Sequence, residues 1–260
     1  MTSDPLTLVY DSFADEYHLI YADWHRSIAR QSEVLDRVIR EAWRRADPPR
    51  TVLDCTAGIG TQAIGLAQQG YTVTATDLSP EAIERARREA ESMGLTVITG
   101  VADLRTLADQ VEGAFDVVLT ADNALPHLHG DDLRLAVNQM AAKVAPGGLL
   151  IATIRDYDAM LQEKPQFTSQ TVFDDPDGRR IAFQVLDWAD DPVSYTFQQF
   201  IVRQGSAGWQ TSCYEATYYP FQRDDLTALL TEAELHDIKW LMPEESGYYQ
   251  PLVIAHRQDS

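Results

Sequence analysis

The sequence predicts an α/β protein built on a mostly parallel sheet with helices on both faces and an antiparallel insertion late in the chain. Three observations carry this. Short apolar strands alternate with helix-forming stretches across the first 155 residues, a glycine-bearing turn follows the first strand, and the hydrophobic period shifts toward two between Thr171 and Tyr219.

After an aromatic-rich start, Ser27 to Trp43 reads as a helix, because Leu35, Val38, Ile39 and Ala42 fall at helical spacing and Asp47-Pro48-Pro49 ends it. The strand "TVLDCT" comes next, then a helix from Thr61 to Gln69, the strand "YTVTATD", and a helix with Ser79 as N-cap and Pro80 in its first turn. "LTVITG" and "FDVVLTAD" are further short strands. "LRLAVNQMAAKVAPGG" is a helix stopped by Pro146-Gly147-Gly148 before the strand "LLIATI". Beyond Arg155, Ile181, Phe183 and Val185 alternate after the turn Asp174-Asp175-Pro176-Asp177-Gly178. Tyr195, Phe197, Gln199 and Ile201 alternate before Gly205-Ser206-Ala207-Gly208, giving an antiparallel meander. A helix carrying Leu226, Leu229, Leu230 and Ala233 on one face follows. "HDIKWLM" and "QPLVIAH" then close the chain as an antiparallel pair.

With 260 residues, 45% hydrophobic and 23% charged, the chain can bury a substantial core. A formal net charge of -19 repels phosphate backbones, so nucleic acid is not an expected partner. The two cysteines, Cys55 and Cys213, allow neither a disulfide framework nor a cysteine-rich zinc site. The start "MTSDPLTLVYDSF" lacks the basic and apolar regions of a signal peptide, and no apolar run suits a bilayer. A cytoplasmic protein with no membrane partner is expected.

In open α/β sheets ligands bind beyond the carboxyl ends of the strands, where a glycine turn lets the backbone approach them. "LDCTAGIGTQ", Leu53 to Gln62, puts Gly58 and Gly60 in that turn. Asp77 ends the second strand, where a carboxylate can accept both hydroxyls of a ribose. The same residues satisfy the looser dinucleotide pattern. Asp54 within the first strand, Asp103 in "VADL" after the third, and the reversed final hairpin separate the two readings.

Together these features resemble the class I S-adenosylmethionine-dependent methyltransferases. The resemblance implies a Rossmann-like methyltransferase fold with a mostly parallel seven-stranded sheet and an antiparallel last strand. It implies an N-terminal helical lid over 1–49, a cofactor-binding core over 50–160 and 220–260, and an inserted antiparallel β substrate-lid over 161–219. In that family the glycine loop lies beside the methionine part of the cofactor, the acid after the second strand holds the ribose, and the acid after the third reads the adenine amino group. These roles fall to Gly58 and Gly60, to Asp77 with Leu78, and to Asp103 with Leu104.

"YHLIYADWHRSIARQ", "DNALPHL", "IRDYD" and "PEESGYYQP" further resemble the glycine and sarcosine N-methyltransferases and their bacterial relatives. The resemblance implies that Arg155 grips an amino-acid carboxylate, that Asn123 and His127 line the acceptor pocket, and that Arg30 meets the methionine carboxylate. A planar guanidinium suits a two-point carboxylate grip, and histidine can orient an amine or accept its proton. Tyr17, Tyr21 and Trp24 can form an aromatic lid over a sulfonium, and Tyr249 or Tyr248 can reach the acceptor from the last hairpin.

Structural alternatives stand beside each assignment. Asp54 can simply organise the loop, Cys55 can be a small buried strand residue, and Asp103 can be a helix N-cap. The aromatic cluster can be a core plug, and Arg155 can pair with Asp156 and Asp158. His127 and His129 with Asp131 have too loose a spacing for a metal site. The expected activity is methyl transfer from S-adenosylmethionine, leaving S-adenosylhomocysteine, to a small-molecule amine such as glycine, sarcosine or dimethylglycine. N- or O-methylation of a heteroaromatic secondary metabolite, and a non-catalytic cofactor-binding protein, are the alternatives. Nothing in the sequence decides between monomer and homo-oligomer.

Overall fold

Asp4 starts the first element. Its carboxylate accepts the Leu6 N–H at 2.9 Å and Pro5 occupies the first turn, so α1 runs Pro5–Phe13. The Asp4-Pro5 pair is a sequence-level start signal for this helix. The computed structural model describes residues 4–168, 170–176, 178–190, 194–206 and 208–259. Asp177 and Ala207, members of the two expected meander turns, lie outside them.

After a 3-10 turn at Tyr17–Ile20 comes α2 at Trp24–Ala42. It begins three residues earlier than the spacing suggested, because Asp23 caps it by accepting the Arg26 N–H at 3.0 Å. Then follow β1 (Thr51–Asp54), α3 (Thr61–Gln68), β2 (Thr72–Asp77), α4 (Pro80–Ser92), β3 (Ile98–Val101) and the short α5 (Leu107–Gln110). Ser79 caps α4 as expected, accepting the Ala82 N–H at 3.1 Å. β4 (Phe115–Thr120), α6 (Gly130–Lys143), β5 (Val144–Thr153) and α7 (Tyr157–Glu163) complete the first half.

Pro146-Gly147-Gly148 does not end α6. The helix stops at Lys143, and the three residues form an irregular start to β5, where the pairing with β4 shifts register between Phe115 and Val117. Gly148 is needed there, since a Cβ would stand 2.8 Å from the carbonyl oxygens of Ala145 and Asp116.

β6 (Thr171–Asp175), β7 (Gly178–Trp188), β8 (Tyr195–Gly205) and β9 (Gly208–Tyr218) form a four-stranded antiparallel sheet. α8 (Arg223–Glu232), β10 (Leu235–Leu241), α9 (Pro243–Ser246) and β11 (Leu252–Arg257) return to the main sheet. That seven-stranded sheet has the order β10-β11-β5-β4-β1-β2-β3, and β11 runs antiparallel to both neighbours. The expected alternation in β7 is present, but its buried face is the opposite one. Ala182 and Leu186 turn inward with Phe197 and Ile201 of β8, while Phe183 stacks on Phe200 on the outer face.

Hydrophobic clusters cover both faces of the main sheet, with Leu35, Val38 and Ile39 of α2 in one and Leu133, Val137 and Met140 of α6 in the other. Each such side chain stabilises the fold by roughly 1.5–3 kcal/mol. This packing holds the carboxyl ends of β1, β2 and β4 side by side under α1. No described helix is long and apolar enough to cross a membrane.

Candidate active site

The turn from β1 into α3 is pinned from both sides. Cys55 N–H donates to the Leu119 carbonyl at 2.8 Å and Ala57 N–H to the Thr76 carbonyl at 2.9 Å. Cys55 itself is buried, as the structural alternative held. Gly58 and Gly60 both adopt left-handed backbone conformations, with φ of 52° and 93°. Their surroundings differ. A Cβ on Gly60 would meet Ile64 Cδ1 at 2.9 Å and Ala86 Cβ at 3.0 Å, whereas one on Gly58 would meet nothing within 4 Å. Gly60 therefore serves helix packing, and Gly58 opens onto a cavity of about 280 Å³.

Asp77 lies across from Gly58, whose N–H donates to Oδ2 at 2.8 Å, while the Ser79 N–H donates to Oδ1 at 2.9 Å. Burial pushes this carboxyl above its usual range, against the opposing effect of these backbone donors. Asp54 is fully buried in β1. Its Oδ1 accepts the Thr56 N–H at 3.3 Å, Oδ2 has no partner among the described residues, and burial pushes its pKa up to about 7. Leu78, Asp103, Leu104 and Arg105 line the adjoining wall. Asp103 caps the 3-10 turn Leu104–Thr106, as the N-cap alternative expects, and also lines the cavity. Partial burial pushes Asp103 up, but its hydrogen bonds with Arg105 outweigh that and hold the carboxyl below its usual range.

The turn after β4 carries Asp122 and Asn123 at φ of 59° and 65°. Asn123 is buried. Its Oδ1 accepts the Arg155 N–H at 3.0 Å and its Nδ2 donates to the Tyr157 hydroxyl at 2.9 Å. Its side chain is thus committed to fixing the turn and lies outside the cavity lining. His127 does line the cavity. Its Nδ1 lies 3.2 Å from the Thr217 carbonyl, its Nε2 lies 2.7 Å from the Tyr10 hydroxyl, and its ring stacks on Tyr218. Because a carbonyl only accepts, Nδ1 carries the proton and Nε2 accepts from Tyr10. His129 packs on Tyr219, so the two histidines do not converge.

Arg155 also lies outside the lining, beneath the four-stranded sheet. Its guanidinium donates to Gln184 Oε1 at 2.5 Å and to the Tyr195 hydroxyl at 3.3 Å, with the Tyr218 ring 5.7 Å away. It does not pair with Asp156 or Asp158, which are taken by Arg223 at 2.8 and 3.3 Å.

Among the expected lid residues only Tyr17 lines the cavity. Tyr21 turns to Asp122, donating to Oδ2 at 3.2 Å. Trp24 is a core plug. It is 5% exposed, and its indole N–H donates to Thr61 Oγ1 at 2.8 Å beneath the start of α3. Arg30 is exposed on the outer side of α2, away from the buried stripe of Trp24, Ile28, Gln31 and Leu35, so the structure does not bring it to the cavity. Tyr249 is exposed as well. Tyr248 turns inward instead, 2.8 Å from Gln31 Oε1 and 3.2 Å from Gln62 Nε2.

A family model described as a methyltransferase domain matches residues 52–148, the span of the glycine turn and the carboxylates. The glycine/sarcosine N-methyltransferase of Parasynechococcus marenigrum (strain WH8102) is 30% identical over 153 residues, 58% of this chain and 52% of that relative. The chain thus spans about half of its length. The enzyme of the same name from Aphanothece halophytica is 23% identical over 229 residues, 88% of this chain and 80% of that one. Residues 52–148 thus match a methyltransferase domain, and the chain is similar to these N-methyltransferases. Its fold matches that of the S-adenosylmethionine-bound amino pentose methyltransferase CalS10 from Micromonospora echinaspora, with a TM-score of 0.72 at 19% identity. That match covers 90% of this chain and 94% of the other.

Three side chains of this site are not among the sequence-based expectations. Tyr10 and Arg105 line the cavity from α1 and from the turn after β3, and Asp122 lines it from the turn after β4. Asp4-Pro5 announced the helix that carries Tyr10, and "TADN" placed an acid at a strand's carboxyl end. Nothing local distinguished Arg105, whose partners Asp4, Asp103 and Asp132 come from three separate segments.

Proposed function

We propose that the chain is an S-adenosylmethionine-dependent methyltransferase acting on the amine nitrogen of a small molecule that carries a carboxylate, an amino acid such as glycine, sarcosine or dimethylglycine. One observation carries the reading. The Arg155 guanidinium is largely enclosed, is held in place by Gln184 and Tyr195, and makes no ion pair among the described residues. A buried cation without a counter-charge costs several kcal/mol. A substrate carboxylate removes that cost through the planar fork.

The cavity suits S-adenosylmethionine. Gly58 leaves space where a Cβ would stand, and Asp122, which lines the cavity, has a buried acceptor, Oδ1, without a partner among the described residues. On this reading Gly58 lies beside the methionine part while Gly60 only shapes the turn, Asp77 holds the ribose hydroxyls, Asp103 between Leu78 and Leu104 takes the adenine amino group, and Tyr17 covers the site. When bound, the cofactor supplies a methyl carbon on a sulfonium, open to in-line displacement.

Asn123 then acts through Arg155, fixing its backbone. His127 orients rather than removes a proton, because burial pushes its pKa down to about 4 and Nε2 is already engaged by Tyr10. The amine enters unprotonated. Residues 161–219 roof the acceptor, and 1–49 supply the lid.

Calorimetry with S-adenosylhomocysteine against NAD tests the cofactor assignment, and NAD binding without a response to the sulfur ligand defeats it. Product formation across an amine panel, followed by mass spectrometry, separates an enzyme from a cofactor-binding protein. Arg155→Lys is expected to lower kcat/KM on glycine-like acceptors by roughly 10- to 100-fold. Indifference to that change supports a heteroaromatic acceptor. Such a reading is favoured by Tyr10, Tyr17 and Tyr219 lining the cavity while Arg155 stands outside it.

A further inference from the structure

Asp122 belongs to none of the roles assigned above, yet the fold goes to some length to aim it. It and Asn123 are consecutive non-glycine residues in the left-handed region, a conformation that persists only where surrounding structure imposes it. Here β5 imposes it. The Asp122 N–H donates to Thr153 Oγ1 at 3.0 Å, the Asn123 N–H to the Thr153 carbonyl at 3.3 Å, and Thr153 Oγ1 in turn donates to Gln250 Oε1 at 2.8 Å.

The carboxylate so placed is half used. Oδ2 accepts from Gln62 Nε2 and from the Tyr21 hydroxyl, each at 3.2 Å. Oδ1 is buried with no partner among the described residues, although Asp122 borders the cavity beside Gly58, Thr61 and Gln62. A buried acceptor left unmade costs roughly 1–3 kcal/mol. Asp122 makes no ion pair among the described residues, and Asp54, the nearby buried acid of β1, also has a free oxygen. A neutral donor could satisfy one lone pair. Burial raises the pKa of both carboxyls, and a bound cation offsets that cost where a neutral donor does not, so the site favours a cation, with which the surrounding tyrosine rings are compatible.

We propose that Asp122 seats an ammonium group in this cavity. The inference rests on the methyltransferase reading of the site. Two groups share that chemistry, the ammonium of the cofactor's methionine tail and the amine of the acceptor before it loses its proton.

Asp122→Asn tests the seat with little change of shape, since asparagine tolerates a positive φ. Gln62 and Tyr21 both donate, so they draw the amide oxygen toward themselves and leave the amide N–H₂ where the free oxygen stood. Calorimetry compares wild type and variant with S-adenosylhomocysteine, which has the ammonium, and with 5′-methylthioadenosine, which lacks it. Glycine and ethylamine are then titrated into the S-adenosylhomocysteine complexes. A loss of roughly tenfold or more for S-adenosylhomocysteine, with methylthioadenosine affinity kept, assigns the seat to the methionine tail. Unchanged S-adenosylhomocysteine affinity with weakened amine binding assigns it to the acceptor. Unchanged affinity for every probe overturns the proposal, and so does equal loss for both nucleosides. Failure of the wild type to bind either nucleoside strikes the methyltransferase reading instead.

Discussion

Tyr10 and His127 are joined by a 2.7 Å hydrogen bond that ties α1 to the turn after β4 across the cavity. His127 Nδ1 is committed to the Thr217 carbonyl, so Tyr10 is the donor and the imidazole is held neutral. The N-terminal helix, the parallel core and the inserted sheet therefore meet at one ring.

Tyr10→Phe leaves Nε2 buried and unsatisfied. It is expected to cost about 1–3 kcal/mol, seen as a fall in melting temperature of a few degrees. An unchanged melting temperature would mean that α1 is not anchored through this bond.

Stability carries a pH signature from the same ring. Burial moves the His127 pKa from 6.5 down to about 4, so the unfolded chain takes up the proton first as pH falls. The stability it contributes is complete above pH 6.5, falls between 6.5 and 4, and is lost below 4, amounting to about 3 kcal/mol. Asp54 opposes this slope, because a carboxyl raised by burial to about 7 loses stability as pH rises toward that value. Unfolding free energies of wild type and His127→Phe between pH 4 and 7 isolate the histidine part. The variant should lack the acid-side decline, and parallel curves would refute the buried neutral imidazole.

The two loop glycines should respond differently to alanine. Gly60→Ala collides with Ile64 and Ala86 at a φ of 93° and should lower stability by about 1–3 kcal/mol. Gly58→Ala meets nothing within 4 Å, so it should cost less in stability and more in S-adenosylhomocysteine affinity, since the methyl projects into open space. Thermal unfolding and calorimetry on both variants check the contrast, and equal behaviour would remove Gly58 from the cofactor's path.

Asp77→Ala should weaken S-adenosylhomocysteine binding by about 1.5–3 kcal/mol if charged hydrogen bonds to a ribose are lost. Asp77 also holds the Gly58 N–H, so Asp77→Asn, which can keep an acceptor there, is expected to lose less. Calorimetry orders the three proteins, and equal affinities would place the ribose elsewhere.

The sequence by itself determined the alternation of strands and helices, the reversed last strand, the turn holding Gly58 and Gly60, and the acid Asp77 at the end of the second strand. Each of these is written in contiguous residues whose period, caps or glycines impose a local conformation. The tertiary structure decided which side chains reach the cavity. Trp24 and Arg30 sit on one helix, and packing against α3 turned the first into the core and left the second in solvent. Tyr248 and Tyr249 are adjacent, yet only the first meets Gln62. Arg155 lost its sequence neighbours to Arg223, a residue from another element, and that exchange left it without an ion-pair partner among the described residues. Such choices depend on contacts between segments far apart in the chain, and no local period or spacing encodes them.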